Sequence, residues 1–125
     1  MVKGSKIYSY AQLAQMLEAS RDGQVKLAHN TIAHKISDTQ IGIRLYYTDV
    51  VVVNADNTYS LFSKGYSTST TKDRMTGFSP AKVITKQFSF YILRDPTRRA
   101  LKANLIPFFE GITVDRDGNV YSIVA

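Results

Sequence analysis

The stretch Lys64-Gly65-Tyr66-Ser67-Thr68-Ser69-Thr70-Thr71-Lys72-Asp73-Arg74 sets five consecutive hydroxyl side chains between two lysines and adds an arginine two residues on. If Thr70 or Thr71 opens a helix, the first backbone N–H groups have no intrahelical partner and that end carries partial positive charge. Hydroxyls, Lys72 and Arg74 gathered there suit an anion. The spacing is not that of a P-loop, which needs G-x-x-x-x-G-K-[ST]. The same residues also fit a purely structural role. In that reading the helix is capped and Arg74 is satisfied internally by Asp49 or Asp73. Asp49 is favoured, because it has apolar neighbours in sequence and needs a partner if buried.

Other reactive groups are sparse. His29 and His34 are five residues apart, a spacing that puts them on opposite faces of a strand and does not suit a shared metal ion. His29 with Asp49 and Arg74 is the one acid–base constellation the chain offers. No serine lies in a nucleophile elbow or a lactamase-type box with its structural context. Asp115-Arg116-Asp117-Gly118-Asn119 has turn composition and lacks the closing Glu of a calcium loop. The chain has no cysteine, which excludes disulfides, thiolate metal sites and a cysteine nucleophile. The expectation is a protein that is not an enzyme and has no metal and no cofactor.

Charge says more. Sixteen Lys and Arg against ten Asp and Glu give +6, with a pI near 9.6. The excess is concentrated: residues 82–102 hold Lys82, Lys86, Arg94, Arg98, Arg99 and Lys102 against Asp95 alone, while residues 37–81 are neutral overall. Such a basic segment is the electrostatic footprint of a polyanion binder. Lys72, Arg74 and these six residues are the candidate contacts. Eight Tyr and six Phe provide stacking surface if exposed. Phe88 and Phe90 alternate with Ser89, so the pattern puts both on one core-facing side of a strand.

These groups must be carried by short elements. Ser9 with Gln12 reads as a capping box, and Tyr10, Leu13, Ala14 and Leu17 fall on one helical stripe ended by Asp22-Gly23. Strands follow at 25–28, 31–36 and 41–45, where Ile41, Ile43 and Leu45 alternate inward with Val51 and Val53 of a strand at 50–53. A return strand spans 59–63. A short helix starts at Thr70 or Thr71 and runs to Thr76, stopped by Gly77 and Pro80. Strands at 82–84 and 87–93 precede a helix from Asp95-Pro96 to Asn104. A hairpin of 112–114 and 120–124 ends the chain. The fold class is α+β: one compact domain with a mostly antiparallel sheet of short strands, an N-terminal helical segment (1–24) and a β-rich part (25–125). No apolar run approaches the ~20 residues that cross a bilayer, and the first residues lack a secretory signal core. A cytoplasmic protein without membrane contact is expected.

The order His29-Asn30-Thr31, Arg44-Leu45-x-x-Thr48-Asp49-Val50-Val51, Gly65-Tyr66-x-Thr68-x-Thr70-Thr71-Lys72-x-Arg74-Met75 and Pro107-Phe108-Phe109-x-Gly111-Ile112 resembles a small domain of unknown function found in bacteriophage and archaeal-virus genomes. The likeness covers residues 25–124. Lys64 stands where the pattern has its first Gly, and Glu110 where it has Asp. The resemblance implies a viral accessory protein in the host cytoplasm, with Asn30, Thr31, Arg44, Thr48, Asp49, Thr70, Thr71, Lys72 and Arg74 as its shared polar set. Two functions are then expected to compete. One is a non-enzymatic module for nucleic acid or a nucleotide-like polyanion. The other is an anti-defence effector, of anti-CRISPR type for example, that binds a host protein or nucleoprotein complex. A homo-oligomer is left open.

Overall fold

The computed structural model describes residues 1–122, so the part of the expected last strand beyond residue 122 lies outside the described residues. In chain order the elements are α1 (Tyr10–Glu18), β1 (Gln24–Ala28), β2 (Thr31–Ser37), β3 (Gln40–Leu45), β4 (Thr48–Asn54), β5 (Tyr59–Leu61), α2 (Ser69–Phe78), β6 (Val83–Lys86), β7 (Ser89–Leu93), a 3-10 turn (Lys102–Asn104), β8 (Leu105–Pro107), β9 (Ile112–Val114) and β10 (Val120–Ser122). The fold is α+β with antiparallel sheets, as the clustered strand patterns predict.

Two sheets form. Seven strands run in the order β1-β2-β3-β4-β5-β9-β10, and β6-β7-β8 make a second sheet. Ile43 pairs with Val51 and Ile41 with Val53, and all four are buried with Leu45. The register shifts between Ile43 and Arg44, because Ile43 faces Val51 while Arg44 faces Asp49. Val50 is thus an extra residue in β4, and its side chain is buried. This β-bulge turns Asp49 onto the sheet face that carries Gly42 and Arg44, away from the core. On the core side lie Leu13 from α1, Met75 and Phe78 from α2, and Ile92 and Ile106 from the second sheet.

Local chemistry explains most boundaries. The Ser9–Gln12 capping box forms: the Ser9 hydroxyl accepts from Gln12 N–H at 3.1 Å and the Gln12 amide oxygen accepts from Ser9 N–H at 2.9 Å. The helix ends at Ala19, short of Asp22-Gly23, which instead turn the chain into β1 with Gly23 at φ +73°. α2 starts earlier and ends later than its sequence predicts. Thr68, not Thr70 or Thr71, is the cap, and the helix runs through Gly77. Glycine is needed there because a Cβ would stand 2.6 Å from the Ser5 hydroxyl of the packed N-terminal segment.

The helix expected over 95–104 does not form. The Asp95 carboxylate accepts from the N–H and hydroxyl of Thr97, closing a turn. The Asn104 side chain accepts from Asp95 N–H and donates to the carbonyls of Asp95 and Arg99. These bonds occupy backbone groups that a helix would use.

Leu13 is fully buried within the common core. Leu13→Ala should therefore lower stability by about 2–5 kcal/mol, read as a shift of the urea midpoint. An unchanged midpoint would show that α1 is not part of that core.

Candidate functional site

The polar residues at the start of α2 are organised around Arg74. Its guanidinium is buried. Nε donates to the Thr31 hydroxyl at 2.9 Å, Nη2 to the His29 carbonyl at 3.0 Å, and Nη1 to Asp73 Oδ2 at 2.9 Å. Asp73 Oδ2 also accepts from Val2 N–H at 3.0 Å. Arg74 is therefore an internal tie, paired with Asp73 and not Asp49, and it does not face an external anion. Asp49 reaches across β3 to His34 Nε2 at 2.5 Å. Gly42 makes this reach possible, since a Cβ there would lie 2.5 Å from Asp49 Oδ1. His29 sits in the β1–β2 turn, where its carbonyl serves Arg74, so the constellation of His29, Asp49 and Arg74 does not assemble. Arg44 shares a cross-strand row with Asp49, and its buried Nε has no hydrogen-bond partner among the described residues.

At the opening of α2 lies a cleft of about 520 Å³. Three walls enclose it. The first is the β3–β4 turn with Tyr46, Tyr47 and Thr48. The second is the segment with Ser63, Lys64 and Tyr66. The third is the opening of α2 with Thr68, Thr70 and Thr71, and Leu45 and Val50 add apolar surface. Thr68 caps the helix, its hydroxyl accepting from Thr71 N–H at 3.1 Å. The tyrosines face solvent: Tyr46 is 60%, Tyr47 94% and Tyr66 63% exposed. Tyr46 holds φ +55° and Lys64 φ +51°, left-handed conformations that favour glycine or asparagine. Of the expected polar set, Thr48, Thr70 and Thr71 line this cleft. Asn30 and Thr31 lie outside its lining, Lys72 is half-buried on α2, and Arg44 and Asp49 occupy the other face of the sheet.

One anchor of the cleft, Glu110, lies outside the expected polar set, and a second, Asn30, belongs to it. Glu110 accepts from the N–H groups of Ser63 and Lys64 and from the Ser63 hydroxyl, at 2.7–3.2 Å. Asn30 donates its side-chain N–H to the Tyr46 hydroxyl at 3.1 Å, and its carbonyl accepts from Tyr46 N–H at 3.2 Å. The legible signal was at the turn itself: Tyr46-Tyr47 connects two strands with neither Gly nor Asn. Asp56 is held below the ordinary carboxylate range by the Thr58 hydroxyl and N–H, and Asp95 by those of Thr97. Both stabilise turns away from the cleft.

A second groove lies between Ser67 and the small sheet, lined by Ser89, Phe90, Tyr91, Pro107 and Phe108. Tyr66 and Thr68 line the cleft while Ser67 between them lines the groove, so the segment 66–68 parts the two. Phe90 is buried edge-on to Phe108, whereas Phe88, expected beside it in the core, stands 96% exposed at the tip of the β6–β7 hairpin. All six basic residues of 82–102 are exposed. The Lys82 carbonyl accepts from Leu93 N–H, and the Asn104 carbonyl from Arg94 N–H. Lys82, Arg94 and the loop with Arg98, Arg99 and Lys102 thus share one end of the small sheet, while Lys86 stands at the hairpin end opposite Ser89. Arg98 also pairs with Asp95 at 3.4 Å.

A family model described as Kyanoviridae Gp96 protein matches residues 10–115. No curated protein and no solved structure matches the chain.

Because three partners converge on one buried guanidinium, Arg74→Ala should destabilise the fold by about 2–3 kcal/mol. A double-mutant cycle in thermal or urea unfolding should find coupling between Arg74 and Asp73 and additivity between Arg74 and Asp49. Coupling to Asp49 alone would contradict this geometry.

Proposed function

The chain belongs to the Kyanoviridae Gp96 protein family, a family of phage proteins, and we propose that it is a non-enzymatic module that binds single-stranded nucleic acid in the tyrosine cleft. The observation that carries this reading is three solvent-facing tyrosines around one cleft of about 520 Å³, with Lys64 on its rim. Bases stack on aromatic faces largely without regard to sequence, and cations along the path hold the phosphates. The opening of α2 adds backbone N–H groups without intrahelical partners on the same wall. Among the described residues the lining contains no histidine and no carboxylate. The cleft thus offers recognition groups: rings, hydroxyls and one ammonium.

The long-range field favours the same partner. The chain carries +6, and six of its exposed basic residues belong to the small sheet and its loop, with Lys86 at the end where Ser89 lines the groove. Lys82, Lys86, Arg94, Arg98, Arg99 and Lys102 would engage phosphates without reading sequence. Arg74 takes no part.

Fluorescence anisotropy with a labelled oligothymidylate, titrated at several salt concentrations, tests the reading. Tyr47→Ala and Tyr66→Ala should each weaken binding by about 1–3 kcal/mol. Lys64→Ala should lower the salt slope by about 1, and Arg98→Ala with Arg99→Ala by at most ~2. Equal affinity in both tyrosine variants, or no binding at low salt, would overturn the proposal and turn attention to a host protein as partner.

A further inference from the structure

The β6–β7 hairpin turns through Gln87 and Phe88 alone, since Lys86 pairs directly with Ser89. Both turn residues have positive φ, +51° and +66°. Two-residue turns of this kind favour Asn-Gly, which adopts the left-handed region with little strain. Phenylalanine there is strained, and it gains no burial in return, because the ring is 96% exposed. Neither turn chemistry nor packing accounts for the residue. The β3–β4 turn does the same thing with Tyr46, whose backbone is left-handed and whose ring borders the cleft. Two hairpin tips therefore hold aromatic rings in solvent at positions where a smaller residue would fold more easily.

The surroundings of Phe88 select its partner. Lys86 is two residues away and exposed. Ser89, its chain neighbour, lines the groove that reaches Ser67, and Ser67 adjoins Tyr66 of the cleft. A ligand that crosses the segment 66–68 from the tyrosines of the cleft enters the groove, and beyond Ser89 at its edge stand Phe88 and Lys86. An alternation of flat and anionic groups matches that order, and a nucleic-acid strand has it. We propose that Phe88 is a second base-stacking contact of the site. The ligand class is then an extended single strand reaching from the cleft to the hairpin tip, not a free nucleotide. This rests on the nucleic-acid reading of the cleft.

Anisotropy titrations with a labelled thymidylate dinucleotide and a labelled thymidylate decanucleotide separate the two claims. Phe88→Ala should weaken decanucleotide binding by about tenfold and leave the dinucleotide unchanged, whereas Tyr47→Ala should weaken both. The double variant Gln87→Asn with Phe88→Gly supplies the stability readout. It should lose decanucleotide affinity to the same extent while its Tm rises by a few degrees, because the turn is relieved of strain. Unchanged decanucleotide affinity in Phe88→Ala, with Tyr47→Ala still weakening both, would overturn the role of Phe88 and leave the cleft reading standing. A fall in Tm of the double variant would also overturn it, by showing that the ring serves the fold. Failure of the unmodified protein to bind either oligonucleotide would overturn both readings together.

Discussion

A guanidinium does not give up its charge, so a buried arginine must be surrounded by acceptors. Arg74 meets that requirement with one carboxylate, one hydroxyl and one carbonyl. Two of the three come from His29 and Thr31, where β1 passes into β2, and they tie the middle of α2 to the edge of the large sheet. The residue between them, Asn30, holds the β3–β4 turn through the backbone and hydroxyl of Tyr46. The three consecutive residues His29, Asn30 and Thr31 therefore join two walls of the cleft. Asp73, which completes the Arg74 shell, also takes the Val2 N–H and so brings the N-terminal segment onto the same helix.

The remaining wall is fixed by a carboxylate at the surface. Glu110 gathers two N–H groups and a hydroxyl from Ser63 and Lys64. With its walls held from behind, the cleft presents rings, hydroxyls and one ammonium to solvent. The left-handed conformations of Tyr46 and Lys64 persist because these surrounding bonds determine them, and such strain is tolerated where it displays a side chain.

What the sequence disclosed follows from how local each determinant is. The alternation of Ile41, Ile43 and Leu45 against Val51 and Val53 needs only strand parity, and it reads correctly. The Ser9–Gln12 box has both partners within one turn and also reads correctly. Thr68 is not singled out as the cap by its sequence, because several Ser and Thr residues in a row have similar capping propensity, and only the docking of α2 chooses among them. Asp95-Pro96 opens no helix because the Asn104 side chain, nine residues on, takes its backbone groups. The partner of Arg74 depended on the bulge at Val50, which turns Asp49 away toward His34 and has no signature in the residue pattern. Phe88 broke the expected parity because a two-residue turn, and not a continuous strand, precedes Phe90. The cleft draws its walls from three separate segments, so its residues were individually visible but their assembly was not.

Ultraviolet crosslinking of the intact protein to an oligothymidylate, followed by peptide mass spectrometry, locates the bound strand without relying on variants. Nucleotide adducts should fall on Tyr46 or Tyr47 and on Tyr66, the tyrosines that line the cleft. Adducts confined to the loop of residues 94–104, with none on these tyrosines, would contradict the central claim that the cleft receives the bases.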